Sequence, residues 1–212
     1  MAQITTGFRK IFESPLVYNA FQNAVGAQKL RKFYIESYIN AARNDKVLDI
    51  GCGTGDILTL LPNDVEYVGF DLSEEYIDAA RKKFGDRATW HCRSVSDMDA
   101  NHLQTFDIVM ANGVLHHLED SEAIHLIAIA AKALKPTGRF VCYENAFTND
   151  QSFISRLIVA MDRGQNVRSP AGYAELLSSS FPSVTTNVYH NLLRIPYTHV
   201  ILVGAKEDQY LK

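Results

Sequence analysis

No stretch of this sequence approaches the ~20 apolar residues that a membrane-spanning helix needs. The opening MAQITTGFRKIFESP also lacks the apolar core and small-residue cleavage site of a secretory signal. Both absences lead us to expect a cytoplasmic protein with no membrane partner. Cysteine is scarce: Cys52, Cys92 and Cys142 are odd in number, and none forms a CxxC pair. Neither a disulfide framework nor a zinc ligand set is indicated, so reduced thiols are expected. Repeats, low-complexity tracts and Pro/Ser-rich linkers are missing too, and 212 residues fit one domain, 1–212. A formal charge of −3 argues against a broad nucleic-acid footprint.

What is present is an ordinary globular composition, 47% hydrophobic and 21% charged, enough for a core and a cleft. The charge is unevenly spread. The first 46 residues carry seven basic side chains against three acidic ones, which reads either as a solvated helix face or as an electropositive rim for an anionic substrate.

Apolar residues at helical spacing (Val17, Phe21, Val25, then Leu30, Phe33, Tyr34, Tyr38) predict two N-terminal helices broken at Gly26, an extension over 1–45. From Lys46 onward, short apolar runs alternate with helical patterns. KVLDI, VEYVGF, ATWHC, FDIVMANG and RFVCYE read as strands; DILTLL, SEEYIDAARKKF and SEAIHLIAIAAKAL read as helices. Two more helices are expected near 151–161 and 171–179, and SVTTNVYH with HVILVGA closes the chain as an antiparallel hairpin. Alternation of this kind means βαβ units and a mostly parallel sheet covered on both faces.

The stretch VLDIGCGTGD, 47–56, places Gly51, Gly53 and Gly55 directly after the first strand. In an open α/β sheet this is the ligand-binding end, although a glycine-rich turn can also be no more than a tight connection. A dinucleotide site uses G-x-G-x-x-G, and a Walker loop needs G-x-x-x-x-G-K-[ST]. Here the pattern is G-x-G-x-G with no lysine, flanked by Asp49 and Asp56. Negative charge repels a phosphate and suits a cationic, phosphate-free ligand, a description that S-adenosylmethionine fits. About 20 residues on, the second strand ends at Asp71, placed to accept from ribose hydroxyls. A helix cap is the alternative for Asp71, but Ser73 can cap that helix itself.

Taken in order, VLDIGCGTGD, YVGFDLSEEYIDAARKKF, FDIVMANGVLHHLED and ALKPTGRFV resemble the successive motifs of class I S-adenosylmethionine-dependent methyltransferases, particularly the bacterial small-molecule branch. The resemblance covers Lys46 to the C-terminus. It implies a Rossmann-like α/β fold with a seven-stranded sheet, last strand antiparallel, a helical lid at the N-terminus and an insertion at about 145–170. It further implies that Gly51 and Gly53 meet the methionine part of the cofactor, that Asp49 supports the loop, that Asp71 holds the ribose and Leu72 packs on the adenine, and that Asn112 lies near the reacting methyl. One position departs from the family. Where Gly-Asp-Ala is common after the third strand, this chain has CRSVSD with Arg93 at the aspartate position, so adenine recognition passes to the backbone of Ser94 and Val95 or, after a shift, to Asp97.

Methyl transfer by in-line displacement gains chiefly from positioning, and a base is needed only if the acceptor must lose a proton. His116 and His117, in GVLHHLED, can titrate near neutrality and are candidate bases. His-His-Leu recurs in family members with unlike substrates, however, which implies a structural or cofactor-side role instead. Tyr143 is a comparable candidate, and Glu144 beside it is expected on the acceptor side. Arg163 and Arg168 offer guanidinium forks to a carboxylate or phosphate, or else form a local ion-pair set with Asp162. Tyr18 belongs to a segment that could close over the site.

The absence of [DN]-P-P-[YF] after the fourth strand argues against adenine amino methylation, and the absence of a Pro-Cys pair argues against cytosine C5 chemistry. No Asp/Asn cluster at the strand ends suggests magnesium. The expected function is therefore metal-free methyl transfer from S-adenosylmethionine, giving S-adenosylhomocysteine, to a small metabolite, anionic if the two arginines bind it. A non-catalytic cofactor-binding protein and an RNA or protein methyltransferase are the alternatives.

Overall fold

A computed structural model of the protein describes residues 24–161 and 165–206. Among these, seven strands form one sheet: β1 Lys46–Ile50, β2 Glu66–Asp71, β3 Thr89–Cys92, β4 Phe106–Met110, β5 Leu134–Asn145, β6 Ser183–Tyr189 and β7 His199–Ala205. Their spatial order is β3-β2-β1-β4-β5-β7-β6. Strands β1 to β5 pair in parallel, and β7 lies antiparallel between β5 and β6. The Rossmann-like sheet with its antiparallel last strand is thus as the sequence predicts.

Alternation along the strands builds two apolar layers. On one face Leu48, Val109, Phe140 and Leu202 pack with α3, Asp120–Ala133, and α5, Pro170–Ser178. On the other, Val47, Met110, Val141 and Ile201 pack with α1, Ala27–Tyr34, and α2, Glu74–Phe84. A further helix, α4, Phe153–Ala160, follows β5. Helix starts match sequence signals: the Ser73, Ser152 and Ser169 side chains each accept from a first-turn N–H, and Glu119 with Glu122 forms a reciprocal capping box for α3.

Three elements differ in detail from the expectation. Asp56–Leu60 forms a 3₁₀ helix after the glycine loop. β5 extends back through Lys135 and Pro136, with a register shift against β4 between Phe106 and Ile108. Gly26 does break the N-terminal region, at φ 83°, but α1 and the π-helical turn Ile35–Ile39 that continues it are bound into the sheet. Tyr34 is fully buried and donates to the Val141 carbonyl at 3.0 Å. The first of the two expected helices, with Tyr18, Phe21 and Gln22, lies outside the described residues.

The strand order reverses between β1 and β4, because β2 and β3 stack to one side of β1 and β4 begins the other. Side chains and loops beyond the carboxyl ends of these two strands therefore flank the sheet's natural ligand cleft.

Candidate functional site

The glycine loop leaves β1 in a left-handed conformation, with φ 74° at Gly51 and 53° at Gly53. A Cβ at Gly51 would stand 2.5 Å from Val114 Cγ2, so the β4-side turn approaches the loop as closely as glycine permits. At Gly53 a Cβ would meet no described atom within 4 Å, so the loop is open there.

Asp71, at the end of β2, fastens this loop. Its Oδ2 accepts the Gly53 N–H at 2.9 Å and its Oδ1 accepts the Ser73 N–H at 2.8 Å. Ser73 Oγ accepts the Tyr76 N–H at 3.3 Å, so the cap of α2 is Ser73 and not Asp71. Leu72 beside it is 52% exposed, an apolar side chain just past the end of β2.

Beneath the loop, Asp49 is buried and accepts from the Tyr67 hydroxyl at 2.5 Å. Burial pushes its carboxyl up to about 7, the Tyr67 hydrogen bond opposes that rise, and the nearby charge of Asp71 adds to it. A carboxyl raised in the folded state stabilises the fold below its ordinary value of 3.8 and loses that contribution as pH climbs through about 7. Asp49→Asn, which can still accept from Tyr67, is therefore expected to raise the thermal midpoint of ligand-free protein at pH 8, by the equivalent of about 1–3 kcal/mol. The gain should shrink toward pH 5. Thermal unfolding at the two pH values checks this; a variant destabilised equally at both would contradict it.

Ser94 and Val95 follow β3. The Ser94 side chain accepts the Ser96 N–H at 3.2 Å and opens a 3₁₀ turn over Val95–Asp97, in which Val95 is buried. Arg93 pairs with Asp99 at 3.2 Å, and its guanidinium lies 5.8 Å from the Phe70 ring. At the end of β4, Asn112 Oδ1 accepts the Tyr143 N–H at 3.3 Å, and the Gly113 N–H donates to the Tyr143 carbonyl at 2.9 Å.

Asp49, Gly51, Gly53, Asp71, Leu72, Ser94, Val95 and Asn112 therefore stand at or just past the carboxyl ends of β1 to β4. The expected acceptor-side and catalytic residues are placed differently. Glu144 does not face a cleft: it is fully buried, with Oε1 accepting the N–H groups of Val114 at 3.0 Å and Leu115 at 2.9 Å. Its Oε2 meets His116 Nδ1 at 2.6 Å and the His116 N–H at 3.4 Å. His116 is 6% exposed, and its ring centroid is 4.0 Å from that of His117. Tyr143 alternates with Glu144 along β5 and packs in the opposite layer, edge-on to Tyr34 at 5.1 Å and to His199 at 6.2 Å. The structure does not bring Tyr143 and His116 together.

Arg168 spends its fork within the protein. Nε and Nη2 donate to Asp120 at 2.9 and 2.6 Å, Nη1 to the carbonyls of Leu115 and Asn166 at 2.9 Å each, and Nη2 to that of Leu118 at 2.8 Å. Its ion pair is with Asp120; Asp162, the partner the sequence suggested, lies outside the described residues. Arg163 and Tyr18 lie outside the described residues. Among the described residues, four of the N-terminal basic side chains pair with carboxylates, Arg31 with Asp56, Lys32 with Glu36, Arg43 with Asp64 and Lys46 with Glu66, Lys32 and Arg43 remaining exposed.

Sequence reasoning missed Tyr67, Tyr34 and Val114. Tyr67 reads only as a strand residue until the parallel register sets it beside Asp49, and Val114 until the β4 turn meets Gly51. Among the described residues there is no cluster of three His, Cys, Asp or Glu side chains able to hold a metal, and no helix long and apolar enough to cross a membrane.

The chain has known counterparts. Residues 47–138 match the methyltransferase domain family. The chain is 27% identical over 135 residues to a ubiquinone biosynthesis O-methyltransferase of Idiomarina loihiensis, an alignment covering 62% of this chain and 54% of that one. It thus spans about half the length of such curated relatives. Among solved structures, it superposes with TM-score 0.71 on a chain from the complex of the Haloferax volcanii Trm112 methyltransferase activator with a methyltransferase, at 18% identity and covering 95% and 98% of the two chains. Burkholderia thailandensis 1,6-didemethyltoxoflavin-N1-methyltransferase, solved with its substrate and S-adenosylhomocysteine, gives 0.68 at 19% identity over 94% and 86%. At these identities the structural likeness establishes the fold.

Proposed function

We propose, from the match of residues 47–138 to the methyltransferase domain family, that the protein is a class I S-adenosylmethionine-dependent methyltransferase and transfers a methyl group from S-adenosylmethionine to a small molecule by direct in-line displacement. The observation that carries the reading is the acidic, phosphate-hostile loop. Gly51 and Gly53 lie between Asp49, a buried carboxyl pushed up to about 7, and the Asp71 carboxylate, which accepts the Gly53 N–H, and the loop holds no lysine. A sulfonium and an ammonium gain from that field, whereas a pyrophosphate is repelled. The residues present fit the cofactor: an open face at Gly53, a carboxylate at Asp71 with acceptor capacity left for ribose hydroxyls, and an exposed apolar side chain at Leu72 for the adenine.

S-adenosylmethionine supplies an electrophilic methyl when bound. The chain's own residues supply position. Asp71 orients the Gly53 N–H, Asp49 sets the potential under the loop, and Ser94 with Val95 bounds the adenine end. Asn112, fixed by the Tyr143 backbone, borders the methyl end. Such a site accelerates transfer by holding the acceptor in line, a contribution of roughly 7–11 kcal/mol in well-oriented systems. Tyr143, near the end of β5, and His117, after β4, are partly exposed, and they are our candidates for taking a proton from an acceptor that must lose one; His116, bound to Glu144, orients the turn.

Because Arg168 is already satisfied, the acceptor reading shifts from an anion toward an aromatic or apolar small molecule. The cluster formed by Tyr34, Tyr143, Tyr197 and His199 at the β5 and β7 ends favours this. A formal charge of −3 weighs against nucleic acid. We place this activity in one domain spanning 1–212, working in the cytoplasm and without a metal.

The test is incubation with methyl-labelled S-adenosylmethionine and cell extract. Label is expected in the small-molecule fraction. Label in RNA or protein would replace the proposed acceptor class, and binding without transfer to any fraction would favour a non-catalytic protein.

A further inference from the structure

Between β4 and α3 the chain turns over residues 112–118, and this turn is gripped from two sides. From below, the buried Glu144 carboxylate takes the N–H groups of Val114, Leu115 and His116 and the His116 ring. From above, the Arg168 guanidinium takes the carbonyls of Leu115 and Leu118. Donors thus meet Glu144 and acceptors meet Arg168, so both polarities of the turn's backbone are bound.

Arg168 does more than close the turn. Its own carbonyl accepts the Phe147 N–H at 3.2 Å, and the neighbouring Asn166 N–H donates to the His116 carbonyl at 3.0 Å. Phe147 and Asn166 are the two ends of the segment that follows β5. At the other end of the turn, Val114 Cγ2 reaches to 2.5 Å of the point where a Gly51 side chain would begin. A continuous set of contacts therefore runs from the base of that segment, through Arg168 and the turn, to the glycine loop.

Resting on the methyltransferase reading above, we propose that Arg168 is a positioning residue that sets the Val114–Gly51 contact, and so links the segment after β5 to cofactor affinity. Removing it leaves the Leu115 and Leu118 carbonyls without the charged donor, lets the turn relax, and loosens the wall against which the loop rests. A rigid link of this kind passes displacement because packed groups have few alternative arrangements.

The experiment titrates S-adenosylhomocysteine into the full chain by calorimetry and by fluorescence of Trp90, the sequence's single tryptophan. Its ring stands against Gly55, where an added Cβ would lie 2.3 Å away, so its emission reports on the glycine loop. The variants are Arg168→Met, Arg168→Lys and, as a control, Lys135→Met, which removes a 2.7 Å ion pair with Asp107 at the far end of the sheet. Arg168→Met is expected to weaken binding roughly tenfold or more, Arg168→Lys to fall between it and the wild type, and Lys135→Met to match the wild type. Hydrogen exchange supplies the readout that a merely structural role would not move. Ligand binding should slow exchange at the amides of Phe147 and Asn166 in the wild type and no longer do so in Arg168→Met. Wild-type affinity and wild-type protection in that variant would overturn the proposal. If Arg168→Met does not fold, Arg168→Lys decides on the same criteria. A wild type that fails to bind S-adenosylhomocysteine would instead overturn the cofactor reading on which the proposal rests.

Discussion

Asp71→Ala is expected to weaken S-adenosylmethionine binding by about 100-fold or more while leaving the fold intact. A carboxylate has about four acceptor positions, and Asp71 uses one for the Gly53 N–H and one for the Ser73 N–H, at 2.9 and 2.8 Å. The remaining two can take ribose hydroxyls. Hydrogen bonds to a charged group contribute roughly 1.5–3 kcal/mol each, so losing a pair costs on the order of 3–6 kcal/mol of binding. The same substitution releases the Gly53 N–H and slackens the loop. Folding should survive because Ser73, not Asp71, caps α2. Calorimetric titration of the variant is the check; undiminished affinity would remove Asp71 from the ribose site.

The second large effect is on stability. Glu144→Ala deletes a fully buried carboxylate that accepts from three backbone N–H groups and faces the His116 ring. The bonds from Leu115 and His116 are buried, and breaking a buried charged network of this kind costs about 3–5 kcal/mol. In a protein of this size the loss corresponds to a fall on the order of 10 °C in the thermal midpoint. Glu144→Gln, which keeps the two contacts made by Oε1, should lose less. A Glu144→Ala variant as stable as the wild type would show that the turn does not depend on this residue.

Glu144 and Arg168 also mark where reading the sequence runs out. The glycine loop, Asp71 about 20 residues beyond it, the strand and helix alternation and the closing hairpin are local patterns, and each is legible without coordinates. Glu144 and Arg168 look like site residues for the same reason that buried ion-pairing residues often do, since charge at a strand end or in a long loop usually meets solvent or substrate. What holds them within the protein is chiefly a set of partners 28 to 53 residues away in sequence, and no spacing rule supplies those. Tyr67 was invisible for a related reason: its bond to Asp49 spans 18 residues and depends on the register between β1 and β2. The 3₁₀ geometry of Asp56–Leu60 was missed because five residues with an apolar pattern do not distinguish one short helix type from another.

We propose that the site at Gly51, Gly53 and Asp71 takes a cationic, phosphate-free adenosine ligand. The most direct test is calorimetric titration of the unmodified protein with S-adenosylmethionine and, in parallel, with NAD and ATP. We expect saturable one-to-one binding of the sulfonium cofactor and no measurable heat from the two phosphate-bearing nucleotides. Binding of NAD or ATP in place of S-adenosylmethionine would rule out such a ligand.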